Sequence, residues 1–543
     1  MASHTHTNLE NERTRLPAGA KTLGIGLMAA GLVALVLAVV LAFALPHEAR
    51  HGEFFEHENP VRRFFFSYMF GIAPFLALSC AALIFTLVHH LVKAGWVINV
   101  RRIQETFAAQ LPLLSLLLIP IIGTVVWQKG TVYSWAVPTS TPVVHHGGAH
   151  AEEHEGEAAD KHAEGAADAA KAEHKAEATD AHKAEVPKPA EADMHSADAH
   201  AKPGEASVVT DEHPAKLASD RNVTQSPNSR DVYPRGPLPA QEYPNEQVQP
   251  GVARKFDAII KEKNGFWLNP ILWSLRIPLY LIVVSAAAWY YHKQSVAQDA
   301  TGDIDVSSRL MTLAAPLTMA AALIVTFIAF DVFMSLDPHW FSTMFGVYFF
   351  ASGAQAMWSA TVLAVLILQA RGYLKESVNR EHFHDMGKWM WAFIFFFAYI
   401  AFSQYMLQWY ANLPEETFWF DKRGYSTQRP NGYSILVLTL LIGRLVIPFP
   451  GLLSRHVKRS RFGIGFWAVW LIAMLFVDMY LIVMPEYKWV DRYQMFPFGP
   501  IEILCLLGVA GLWVGNVVRM LASHALRPLR DPRVHESLAV VNF

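Results

Sequence analysis

Ten stretches of about 20 mostly apolar residues run through this 543-residue chain, and they constrain its fold more than any other feature. They lie near residues 22–45, 64–92, 106–127, 269–291, 312–334, 344–370, 389–411, 432–454, 464–484 and 500–520. A segment of that length matches the hydrocarbon layer of a bilayer, where a helix satisfies every backbone polar group within itself. Most runs are flanked by Trp, Tyr, Arg or Lys, the residues that anchor helix ends at the interface. The expected fold class is therefore all-α: a polytopic integral membrane protein with about ten transmembrane helices. The first run is too long for a secretory signal peptide and no small-residue cleavage motif follows it, so it is read as a helix.

Basic residues set the expected orientation. Lys93, Arg101 and Arg102 lie between runs two and three, Arg371, Lys375, Arg380 and Lys388 between six and seven, and Arg455, Lys458, Arg459 and Arg461 between eight and nine. Positively charged loops stay cytoplasmic, which puts both termini inside and the opposite loops outside. The stretch "SLDPHWFSTMFGVYFF" (335–350) is then an outside turn between two runs.

Composition breaks most sharply over residues 138–265, between the third and fourth runs. Ala, Glu, Lys, His and Asp recur there, the later part is Pro-rich, and aromatic and β-branched residues are scarce in the Ala-rich part. Such a segment buries too little apolar surface to offset its chain entropy, so it is read as a disordered outside loop. Ten of the chain's 24 His residues fall between His145 and His213, but their spacing is irregular and no Cys accompanies them. A structural zinc site is not expected.

Cofactor chemistry is narrowed by the same kind of count. The only Cys residues, Cys80 and Cys505, sit inside predicted helices, too few for a protein-ligated iron-sulfur cluster. His89 and His90 end the second helix, His292 follows the fourth, and no other His falls in an expected helix interior, which argues against a bis-His haem. No cofactor bound by this chain is expected.

What remains inside the membrane is a small set of ionisable residues, costly enough to count as functional candidates. Arg276 lies in the fourth helix, Asp331 near the outer end of the fifth, Arg444 in the eighth and Asp478 in the ninth. At about 1.5 Å per residue, Asp478 is roughly 9 Å below the outer end of its helix, Arg276 roughly 11 Å and Arg444 roughly 18 Å, near the bilayer centre. Structural pairing of Arg444 or Arg276 with Asp478 or Asp331 is one reading, with Arg276 placed in that role. Proton relay by a desolvated carboxylate is the other. Around the outer mouth stand Asp337, His339, Gln404, Tyr405, Glu415 and Glu416, groups suited to taking protons from a hydroxyl-bearing, lipid-soluble substrate. A second cluster, His382, His384, Asp385 and Lys388, is read as an inner loop just before the seventh helix, with His384 and Asp385 as the proton entrance.

Four segments, "HHLVKAGWVINVRRI" (89–103), "SLDPHWFSTMFGVYFF" (335–350), "HFHDMGKWMWAFIFFFAYIAFSQYMLQWYANLPEET" (382–417) and "LRPLRDPRVHESL" (526–538), resemble the F subunit of bacterial alternative complex III. That complex is a quinol to cytochrome c oxidoreductase whose membrane part is akin to the polysulfide-reductase anchor. The resemblance implies two four-helix bundles, helices 2–5 and 6–9, flanked by the first and last helices. It implies as partners a sister membrane subunit, multihaem and single-haem cytochrome subunits and an iron-sulfur subunit, which carry the haem and clusters, with a terminal oxidase or cytochrome c as onward partner and no nucleic acid. It also implies the bacterial cytoplasmic membrane, quinone or quinol as a candidate ligand, and candidate proton half-channels. The chain divides on this reading into residues 1–137, the loop 138–265, helices 4 and 5 in 266–343, helices 6–10 in 344–522, and a tail 523–543. The insertion 138–265 is where the chain departs from the family. Rival expectations are a free-standing secondary transporter, for which no internal repeat is evident, and a structural membrane anchor.

Overall fold

The computed structural model describes residues 12–44, 60–127, 131–136, 263, 265–426, 430–488, 490 and 494–540. All belong to one compact unit, residues 1–138 with 226–543. The Ala- and His-rich loop expected over 138–265 lies outside the described residues, apart from positions 263 and 265.

Among the described residues there are ten helices long and apolar enough to cross a membrane: α1 (Ala18–Ala44), α2 (Pro60–Leu91), α3 (Ile98–Val126), α4 (Pro270–Thr301), α5 (Ile304–Leu336), α6 (Phe345–Ala370), α7 (Arg380–Ala411), α8 (Ser434–Gly451), α9 (Arg461–Glu486) and α10 (Pro500–Leu521). The chain is an all-α polytopic membrane protein. Helix ends follow local chemistry. The Asn269 side chain accepts from the backbone N–H of Ile271 and Leu272 to start α4, with Pro270 at the first position, where its missing N–H costs nothing. Between α4 and α5 the turn is made by Gly302 at φ 66° followed by the cap Asp303.

Helices α2–α5 pack on one another as one bundle and α6–α9 as a second, and they meet where α2 lies along α6. Both of these central helices are buried on most sides. Their approach is close at Gly353, where an added Cβ would come within 2.2 Å of the Ala77 carbonyl oxygen. Helix α10 packs on α2, and α1 packs chiefly on α10.

The α1–α10 contact depends on small residues. A Cβ on Gly31 would lie 2.6 Å from the Gly508 carbonyl oxygen, and one on Gly511 would lie 2.8 Å from the Gly31 Cα. In a bilayer, helices adhere by close van der Waals contact rather than by hydrophobic exclusion, so this seam is what holds α1. Gly31→Leu is expected to detach α1 from the bundle while α2–α10 stay assembled. Cysteine cross-linking between α1 and α10 should fall to background, with little change in the thermal unfolding of the remainder.

The first and last described segments of the chain meet on one side. Leu526 donates its backbone N–H to the Thr14 carbonyl at 2.7 Å, and Arg527 pairs with Glu12 at 3.1 Å. Glu12 also accepts from the backbone N–H of Ser377 at 2.8 Å. The tail is thereby tied across the helix ends on this side.

Four helices, α3, α4, α5 and α7, extend well beyond the apolar runs expected from the sequence. Helix α3 begins at Ile98, and its polar opening INVRRIQETFA is buried throughout. His292 lies inside α4, which runs on to Thr301, and His382, His384 and Asp385 lie within α7, which begins at Arg380, so these are not loop residues. In each case charged residues made a helical segment resemble a solvated loop.

A candidate proton-handling site in the second bundle

Arg444 sits in a π-helical turn, Leu441–Val446, that interrupts α8. The turn has a covalent cause: Pro448 has no N–H to give the carbonyl four residues earlier, and Ile447 donates instead to Ile442, five residues back, at 3.0 Å. This widening turns Arg444 into the bundle, where it is 1% exposed. Its Nη1 donates to Asp478 Oδ2 at 2.6 Å, Nε to Gln355 Oε1 at 2.8 Å and Nη2 to Ser352 Oγ at 2.8 Å, while the guanidinium lies 3.5 Å over the Phe397 ring. Asp478 is completely buried.

Asp478 also accepts from two hydroxyls, Tyr348 at Oδ1 and Ser352 at Oδ2, the latter at 2.6 Å. One carboxylate thus gathers a guanidinium and two hydroxyls from α6, α8 and α9. The ion pair neutralises itself, which lets it persist inside the membrane. A hydroxyl both donates and accepts, so Tyr348 and Ser352 can pass a proton where an apolar side chain would stop it. The Gln355 Nε2, on the termini side of this group, has no hydrogen-bond partner among the described residues.

Arg276 and Asp331 form a separate pair. Their two hydrogen bonds, 2.8 and 2.7 Å, join α4 to a second π-helical turn, Ala329–Phe333, near the far end of α5. The Arg276 guanidinium covers the Trp267 ring at 4.3 Å, and the Asp331 carbonyl takes hydrogen bonds from Trp273 and Ser335. This bidentate pair engages both carboxylate oxygens and fixes α4 to α5.

Asp337 and His339 occupy the connection after α5 and do not join Asp331. The Asp337 carboxylate accepts the His339 backbone N–H at 3.1 Å, with the imidazole Nδ1 3.4 Å away. Nearby, Glu486 pairs with Lys422 and, at 2.8 Å, with Arg423, whose guanidinium lies 3.6 Å over Trp419. Trp419 stacks on Trp340 at 4.0 Å. Burial by itself raises the Asp337 carboxyl, but the hydrogen bond from His339 and the charges of Lys422 and Arg423 outweigh it and hold the group well below its ordinary value. A depressed carboxyl contributes stability that is present above its unfolded value, about 3.9, and is lost as pH falls through the folded value. Asp337→Asn is therefore expected to cost about 1.5–3 kcal/mol at pH 7. The gap between wild type and variant in thermal unfolding should narrow as the pH drops below about 4.

The remaining sequence candidates scatter. Gln404 accepts from Ser342 at 3.0 Å, and the Tyr405 ring stacks with Tyr425 at 5.7 Å. Glu416 is half-buried in the short helix Pro414–Lys422, and the Glu415 side chain lies outside the described residues. Asp385 pairs with Lys388 at 2.5 Å, and His384 is half-buried beside it. No group of three or more potential metal ligands is found among the described residues.

A fourth cluster, on the termini side, was missed by sequence reasoning. Arg101 pairs with Glu105 at 2.9 Å and with Asp531 of the tail at 2.8 Å, and Arg102 pairs with Glu105 at 3.4 Å and Asp299 at 2.9 Å. His90 approaches Glu105 at 3.8 Å. Beside it, buried His89 lies 5.7 Å from Trp358 between ring centroids, and both its nitrogens, the Trp358 indole nitrogen and the Gln104 amide are without partners among the described residues. The spacing of Glu105 four residues after Arg101 and three after Arg102 was a usable signal for a helix. Tail residue Ser537 closes the cluster, sharing a hydrogen bond with His382 at 3.0 Å and donating to the Trp96 carbonyl.

No protein-family model and no curated protein sequence matches this chain.

Proposed function

We propose that the chain is an integral subunit of a quinol-oxidising respiratory complex in a bacterial cytoplasmic membrane, where it supplies scaffold and handles protons, with redox centres carried by partner subunits. The observation that carries the reading is Asp478: a completely buried carboxylate that gathers Arg444 and the hydroxyls of Tyr348 and Ser352. The Arg444–Asp478 pair alone would serve a scaffold; the two hydroxyls add groups that can move a proton.

Two further observations support it. The segments that resemble the alternative complex III membrane protein contain residues of the polar clusters: His90, Arg101 and Arg102, then Asp337 and Tyr348, then His382, and finally Asp531 and Ser537. Along α6, Gln355 of the Asp478 group is followed by Trp358 of the His89–Glu105 group, and a side-chain nitrogen of each is without a hydrogen-bond partner among the described residues, polar atoms that bridging water would satisfy. In this assignment the Arg276–Asp331 pair is structural, the Asp337–His339 corner forms the outer mouth where a quinone headgroup is a candidate, and the termini side faces the cytoplasm.

The test is recovery of the tagged full chain in mild detergent, followed by mass spectrometry and haem staining of whatever accompanies it. Co-recovery of c-type cytochromes and a large iron-sulfur protein is the expected result. A colourless chain recovered alone would replace this reading with the transporter.

A further inference from the structure

A groove of about 500 Å³ runs along the outside of α9, lined by Phe462, Phe466, Val469 and Trp470, with Leu363 of α6 on its other wall. It follows one face of α9 from Arg461 to Ala473, a length of about 18 Å at the helical rise. Phe462 and Val469 are exposed outright, so this surface faces the lipid. Trp470 donates its indole N–H to the Gly443 carbonyl, which fixes one wall ring.

The end of the groove is charged, and with one sign. Arg461 stands in its lining, and Arg455 lies just before it in the chain, at the start of the short helix Arg455–Arg459 that leads into α9. Arg459 is neutralised by Glu381 at 2.7 Å, whereas Arg455 and Arg461 are exposed and have no carboxylate partner among the described residues. An unpaired guanidinium at one end of an apolar channel, with a second on the short helix that leads into it near the end of a membrane span, matches the layout of a phospholipid: an anionic headgroup joined to hydrocarbon.

Dimensions suit a slender occupant. The volume spread over the groove length gives a cross-section of roughly 30 Å², which admits an extended acyl chain, while a helix is about 10–12 Å across. The length of about 18 Å spans slightly more than one leaflet of a hydrocarbon layer about 30 Å thick. We infer that this groove is a binding site for an anionic phospholipid, its phosphate held by Arg455 and Arg461 and one acyl chain lying along α9. The site lies on the outer face of the second bundle, apart from the Asp478 group, and does not depend on the function proposed above.

The test uses the full chain, freed of native lipid in detergent and titrated with phosphatidylglycerol or phosphatidylcholine, with bound lipid counted by native mass spectrometry. Phosphatidylglycerol should be retained preferentially, and its retention should fall about fivefold for each charge removed in Arg455→Gln and Arg461→Gln. Gly465→Leu tests the channel separately: a Cβ there already lies 3.0 Å from Leu366 Cδ1, so the longer side chain should obstruct the groove and abolish acyl retention with both charges intact. Equal retention of the two lipids, unchanged phosphatidylglycerol in the arginine variants or in Gly465→Leu, or displacement of phosphatidylglycerol by ubiquinone at equal concentration would each overturn the assignment.

Discussion

Replacing Arg444 with Met is expected to cost about 3–5 kcal/mol of stability, because it leaves Asp478 buried without its cation. The carboxylate would keep the Tyr348 and Ser352 hydroxyls but lose its only charge partner among the described residues, at a position with no exposure to solvent. Unfolding in mixed detergent micelles should show the loss directly. The companion variant separates stability from function. Arg444→Met combined with Asp478→Leu removes both charges, and replacing a closed buried pair with apolar groups is often neutral for stability. The double variant should therefore assemble as the wild type does. If Asp478 relays protons, that assembled variant, like Asp478→Asn, loses quinol-driven proton movement. An assembled double variant with full proton movement would reduce the pair to an anchor.

The same residues show what kind of information the amino-acid sequence carried. The ten helices were legible because each is a contiguous apolar run, and contiguity is what a linear reading detects. Arg276, Asp331, Arg444 and Asp478 stood out because a charge within such a run is costly. Their pairing was not legible, since depth alone leaves either Arg free to meet either Asp, and the packing of α4 on α5 and of α8 and α9 around α6 decides it. Tyr348, Ser352 and Gln355 gave no signal: hydroxyl and amide residues are ordinary in a helix until a carboxylate or guanidinium from another helix faces them.

The largest omission has the opposite cause. Arg101, Arg102 and Glu105 carry so much charge that the segment reads as a cytoplasmic loop, yet they are nearly inaccessible. Their counter-charges arrive from Asp299 at the end of α4 and Asp531 in the tail, 197 and 430 residues away. Neutralisation over such separations cannot be seen in a local pattern. The same mechanism explains why His382 was taken for a loop residue, since Ser537 from the tail supplies its partner.

Arg101 is the hub of that cluster, and Arg101→Met is the second variant expected to have a large effect. It strips the tail carboxylate Asp531 of its buried partner and leaves Glu105 the more distant Arg102 and His90, a loss of about 3–5 kcal/mol for a broken buried network. Asp531→Asn should cost less, because Arg101 keeps Glu105 at 2.9 Å. The order of the two, rather than either value alone, tests whether the arginine organises the cluster. Acid should act on the same contact. Burial tends to raise the Asp531 carboxyl, but the Arg101 charge and hydrogen bonds lower it on balance. Its contribution is thus complete above the unfolded value of about 3.9 and declines as pH falls below it. Limited proteolysis of residues 526–540 reads the docking directly. Cleavage should be slow in the wild type at pH 7, faster in Asp531→Asn, and fastest in Arg101→Met, with the wild type approaching Asp531→Asn as the solution is acidified. If Arg101→Met leaves the tail as protected as in the wild type, the strap is held by Arg527 and Ser537 instead, and the buried charges serve α3 and α4 alone.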